Sequence, residues 1–140
     1  MAVALYVAEN WRSPEIAHPT DRVVELDDNG GYYTHLNRYF EGARLPSHRG
    51  ALVDLYLESE IDGYQLDRLE DEMNAALADA TRRPDQWRVL ISWNGEVSRA
   101  NEIWQVVDRE KLVEIVKQIL WLISFARQRR LKLIALGDQN

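Results

Sequence analysis

Three histidines, His18, His35 and His48, are the first residues of this sequence that could do chemistry. With Asp27, Asp28 or Glu41 they offer the donor types of a zinc site. Their spacing does not support one, since the chain has no H-E-x-x-H, no His-x-His and no carboxylate-rich calcium loop. Surface histidines account for them, and neither a metal nor a cofactor is expected. Carboxylates are grouped at Asp27 and Asp28, at Glu58 and Glu60, and at Asp67, Glu70 and Asp71. A pair held in a cleft can work as acid and base. The last group falls on the outer face of a helix, where a solvated surface partly paired with Arg68 is the simpler reading. Asp54 differs, because it sits in a strand-like stretch beside Tyr56, with Arg88 on a neighbouring strand. Asp54 and Arg88 read as a cross-strand ion pair or, with Tyr56, His35 and Trp104, as the lining of a pocket.

Nucleophiles are poorly supported. None of the six serines lies in a G-x-S-x-G or S-x-x-K setting, and Ser47 next to His48 is not the geometry of a triad. Gly30-Gly31 is too short to cradle phosphates. An enzyme is therefore not the expected reading. Aromatic residues are the richer signal, with five tryptophans and six tyrosines in 140 residues. Both types recur at binding hot spots, because they bury much area at small entropic cost. Trp87, Trp104 and Trp121 suit a core. Trp11, in a loop, and Trp93, beside the Asn94-Gly95 turn, suit a surface, with Asn94 and Glu96 as polar neighbours. An RNA-binding sheet needs stacking aromatics and a basic rim. Tyr56 and Trp104 are present, but the rim is not.

Bulk properties narrow the classes further. The absence of cysteine excludes disulfides, thiolate metal sites and a cysteine nucleophile. The formal charge of −6 disfavours nonspecific nucleic-acid binding and favours a basic protein surface as partner. Residues 1–10 lack the basic flank of a signal peptide, and the apolar run Ile119–Ala126 is too short to span a bilayer. A cytoplasmic protein without membrane contact is expected.

The elements that must position these residues follow from periodicity. Ala2–Ala8 and Arg22–Leu26 read as strands, and Asn10–Asp21, with Pro14 and Pro19, as an irregular connection. Tyr32–Ala43 is a helix with Tyr32, Leu36, Tyr39, Phe40 and Ala43 inward and His35 on the polar side. Ala51–Glu58 alternates as a strand. Asp62 and Gln65 form a capping box for a helix to Thr81. Trp87–Trp93 and Glu102–Val107 are strands, with Trp87, Val89, Ile91 and Trp93 on one face. Asp108 caps a helix over Arg109–Arg127, and Leu131–Leu136 closes the chain. Residues 51–136 thus run strand, helix, strand, strand, helix, strand. This is the order of a ferredoxin-like βαββαβ layer in a single α+β domain, with residues 1–50 as an N-terminal strand-and-helix extension.

That layer has more apolar surface than two helices can cover. The 109–127 helix is apolar around most of its circumference, and Leu52, Tyr56, Leu90, Trp104, Val106, Ile134 and Leu136 would line the other sheet face. Either the N-terminal extension covers the excess, or a homodimer or partner does. In its small size, lack of cysteine, acidic charge and α+β class the whole chain resembles bacterial polymorphic-toxin immunity proteins, though no motif carries the likeness. The resemblance implies a non-catalytic module that binds and blocks a basic protein. The alternatives are a small-molecule-binding or catalytic ferredoxin-like dimer and a structural homo-oligomer.

Overall fold

The structure, a computed structural model, describes residues 1–12 and 22–138. The chain is α+β, with three α-helices among the described residues and antiparallel sheets. The strands are β1 (Ala2–Ala8), β2 (Val24–Asp27), β3 (Glu58–Ile61), β4 (Gln86–Trp93), β5 (Glu102–Asp108) and β6 (Lys132–Gly137). The helices are α1 (Tyr32–Ala43), α2 (Gly63–Thr81) and α3 (Arg109–Arg129). From β3 to β6 the elements keep the βαββαβ order of a ferredoxin-like layer.

Pairing within that order is divided between two sheets. The first is four-stranded, in the order β2-β1-β6-β3. Its centre joins the two ends of the chain, from Val3 opposite Gly137 to Ala8 opposite Lys132. The second is the β4–β5 hairpin alone. Alternation decides the faces of the larger sheet. Val3, Leu5, Val7, Ile61, Leu133 and Ala135 point to the helices and are buried with Leu36, Phe40, Met73, Ile119 and Ile123. Each of these side chains except the small Ala135 contributes roughly 1.5–3 kcal/mol by leaving water. On the opposite face Tyr6, Ala8 and Ile134 are buried, with Trp11 and Leu136 packed beside them.

The helices form where their apolar stripes require. In α2, Leu66, Leu69, Met73, Ala76 and Ala80 are buried, in a segment rich in good helix formers. In α3 the wide apolar surface has several neighbours: it packs on β1, β2 and β6, on β5 and on α2. Two rings at its margin, Trp121 and Phe125, stack with centroids 5.3 Å apart, and the Arg22 guanidinium lies 4.1 Å above Trp121.

Several expectations are corrected. Residues 51–57 are not a strand, and β3 begins only at Glu58. Leu52 and Val53 are consecutive and both fully buried, outside any strand. The segment turns because the Asp54 carboxylate accepts from the Tyr56 N–H at 2.7 Å and the Leu57 N–H at 3.2 Å. The capping box does not form either. Asp62 precedes α2 without a side-chain cap, and Gln65 reaches away to accept from the Leu45 N–H at 3.0 Å. Asp67 and Glu70 pair with Arg127 rather than Arg68, while Arg68 donates to the Gly42 and Ala43 carbonyls.

The 51–57 turn lies directly on the end of β6. Asp138 donates to the Leu55 carbonyl and Gly137 to that of Leu57. A Cβ on Gly137 would come within 2.6 Å of backbone atoms of Asp54, Leu55 and Tyr56. Gly137→Ala is therefore expected to lower stability by about 1–3 kcal/mol. A Cβ on Gly42 would meet only the Glu72 side chain, which can move. Gly42→Ala should be neutral or gain up to about 1 kcal/mol of helix propensity. Urea midpoints of the two variants test the contrast.

Candidate functional site

The β4–β5 hairpin presents two different faces. Trp87 pairs with Val107 and Val89 with Gln105, and this side is held against the core, with Val107 fully buried. Close approach to α1 depends on Gly31, the residue before that helix. Its φ is +78°, and a Cβ there would meet Val107 at 3.1 Å and Gln105 at 3.3 Å. The Tyr32 hydroxyl then accepts from the Asp108 N–H at 3.1 Å.

The outward face pairs Arg88 with Val106, Leu90 with Trp104 and, past a register shift between Leu90 and Ser92, Trp93 with Glu102. The extra residue moves Trp93 off the face it would share with Trp87 and Val89. Trp93 therefore lies on the side of Leu90 and Trp104, correcting the simple alternation. Trp104 and Val106 are 39% and 53% exposed, and Trp93 is 37% exposed. The Arg88 guanidinium sits 4.7 Å above the Trp104 ring. At the tip the Asn94 N–H bonds the Asn101 carbonyl at 2.8 Å, and the Asn101 amide bonds the Glu96 carbonyl at 3.0 Å. Glu96 itself is exposed, as is Val97.

The residues expected to matter are thus sorted by the fold. Trp93, Asn94, Glu96, Arg88 and Trp104 share one hairpin. Asp54 and Tyr56 lie in the turn before β3, and the Asp54–Arg88 pair does not form because β3 and β4 belong to different sheets. Trp11 lies across the larger sheet, its backbone N–H donating to the Glu60 carboxylate at 2.9 Å. Glu60 also takes an ion pair from Lys132 at 3.0 Å. Burial alone would raise this carboxyl. The Trp11 N–H and then Lys132 outweigh it, leaving the group below its usual range.

His35 is not on a polar surface. The hairpin covers that side of α1, leaving His35 8% exposed with Trp87 edge-on at 5.3 Å. Burial first, then the nearby Arg83 and Arg38, lower its pKa to about 4 against a smaller pull from Asp79. It is a neutral packing residue at pH 7. His18 lies outside the described residues.

One cluster has no forewarning in the sequence. His48 Nε2 lies 3.1 Å from Ser59 Oγ, and His48 Nδ1 lies 3.3 Å from Gln65 Nε2. The Gln65 oxygen is engaged by Leu45, so its amide N–H donates to Nδ1. The network thereby assigns the proton to Nε2, which donates to Ser59. A histidine donating to a serine cannot take its proton, so this arrangement orders a loop rather than activating a nucleophile. Among the described residues no group of three His, Cys, Asp or Glu could hold a metal, and no helix is long and apolar enough to cross a membrane. A groove of about 1060 Å³ lies at the hairpin base, where Arg109 and Asp85 pair at 2.7 Å.

Comparison with protein-family models, curated proteins and solved structures finds no match to this chain. The fold and the hairpin therefore carry the functional argument themselves.

Two outcomes are expected. The unfolded chain binds a proton to His35 near pH 6.5, but the folded chain does so only near pH 4. Stability from this group is complete above pH 6.5, falls as the pH drops toward 4, and is lost by roughly 3 kcal/mol below that. His35→Phe should flatten this limb in pH-dependent urea titrations; identical slopes in both proteins would refute the assignment. His48→Ala leaves the buried Ser59 and Gln65 groups without partners and should cost about 1–3 kcal/mol. An unchanged urea midpoint would show that the network carries no stability.

Proposed function

We propose that this protein is a protein-binding module and that the outward face of the β4–β5 hairpin is its binding surface. One observation carries the reading. Among the described residues ten large hydrophobic side chains are exposed, and five of them (Trp93, Val97, Ile103, Trp104 and Val106) fall within this hairpin, with Trp93, Trp104 and Val106 on its outward face. Apolar side chains clustered in this way mark interaction sites, whereas single exposed ones need no explanation. Tryptophan and arginine, stacked here as Trp104 and Arg88, are the side chains most enriched at binding hot spots.

The binding role is non-catalytic in this reading, since the Ser59–His48 geometry opposes nucleophile activation. The inhibitor-type version adds a basic partner, and its support is the net charge of −6. All but one of those six charges lie outside the hairpin, whose one unbalanced carboxylate is Asp108 at its base. Between Arg88 and Glu102 the chain carries two arginines and two glutamates. Recognition at this face accordingly rests on apolar area, and a basic partner would meet the acidic remainder of the surface.

The double substitution Trp93→Ser/Trp104→Ser should weaken binding by at least roughly 30-fold, the loss typical of a hot-spot residue. The thermal midpoint should move little, because both rings face away from the core. Affinity capture with the original and substituted chains, at low and high salt, reads the effect. Equal recovery of every bound protein by both chains would remove the hairpin as the binding surface.

A further inference from the structure

We infer that the partner seated on the hairpin is a second copy of this chain, packed face to face about a two-fold axis that crosses the strands. This inference rests on the binding-module reading above. The outward face is a short apolar strip with opposite charges at its two ends. Arg88 stands beside Val106 at one end, Leu90 and Trp104 fill the middle, and Trp93 stands beside Glu102 at the other.

A two-fold interface needs a patch that complements itself. With the axis across the strands, β4 lies over β4 and β5 over β5, running in opposite directions. Leu90 and Trp104 then meet their own copies. The Arg88 end of each chain lies over the Trp93 and Glu102 end of the other. Each guanidinium gains an indole face and a carboxylate, and this happens twice by symmetry.

The charges at this face are unspent within the chain. Arg38, Arg44, Arg83, Arg109 and Arg127 have carboxylate partners, whereas Arg49, Arg82, Arg99 and Arg130 have none among the described residues. Neither Arg88 nor Glu102 has one among the described residues. Stacking on Trp104 holds the Arg88 guanidinium over the strip. The local charge balance matters as well. A chain of net charge −6 repels its own copies, but contact through the neutral 88–102 segment keeps the acidic remainder apart. A basic partner would find no complement at this face.

Sedimentation equilibrium of the purified full-length chain, from low to high micromolar concentration, tests the inference. The original chain should approach twice its 16.3 kDa mass. Arg88→Glu alone and Glu102→Arg alone should each place like charges in both symmetric contacts. Each should raise the dissociation constant roughly tenfold or more. Mixing R88E with E102R, or combining both in one chain, should restore the dimer, which also shows that the single variants are folded. An original chain that stays monomeric overturns the inference, as does a dimer indifferent to both reversals. If the original chain is monomeric yet a different protein is captured in a Trp93- and Trp104-dependent way, only the self-association fails and the binding module stands. If neither self-association nor such capture occurs, both fail.

Discussion

The pairing of β1 with β6 is the constraint from which the rest of the architecture follows. It places residues 3–8 beside residues 132–137 at the centre of a sheet, so nearly the whole chain must be closed into a loop before the contact is gained. Once formed, it fills the sheet. β6 has β1 on one side and β3 on the other, and β1 has β6 and β2. No inner position remains for β4 and β5. The hairpin instead packs one face on α1 and α3 and leaves the other uncovered. The exposed apolar strip is the hairpin face that neither helix covers.

The same constraint explains why α3 is apolar over so much of its surface. It is the common wall between the larger sheet, the hairpin and α2, so one stripe would not serve. It also explains His35. With the hairpin over α1, a helix that would otherwise show one face to water is covered on two. The histidine that results is neutral, flanked by Trp87 and Tyr39, with Arg38 and Arg83 laid over those rings. Aromatic faces take up the guanidinium charge near a group that cannot itself be protonated without cost.

Local order was legible in the sequence, and long-range order was not. The α1 limits of Tyr32–Ala43, the β1 limits of Ala2–Ala8 and the stripe of α2 follow from periodicity that needs no tertiary partner. Residues 51–57 mislead because alternating apolar residues can arise without a strand, and the deciding feature is an Asp54 turn held against Gly137, far along the chain. The face of Trp93 misleads because one bulged residue reverses parity. Gln65 misleads because its capping geometry competes with the Leu45–His48 loop, which arrives from outside the helix. The Ser59–His48–Gln65 network joins residues that no motif spaces.

The candidate site was half legible for a similar reason. Trp93, Asn94 and Glu96 were marked by a turn signal, and Arg88 and Trp104 by their types, but only the hairpin register unites the two groups. Their common location bears on why they are there. A two-stranded hairpin is marginal in isolation and needs one face packed, and Trp87, Val89 and Val107 supply that packing. The outward Trp93, Trp104 and Val106 are not needed for it, and large exposed apolar residues on an uncapped hairpin invite aggregation. A sequence under no demand but folding would place polar residues there, as it does on the outer face of α2. Retaining two indoles, with an arginine stacked on one of them, is consistent with a surface that is covered when the protein works.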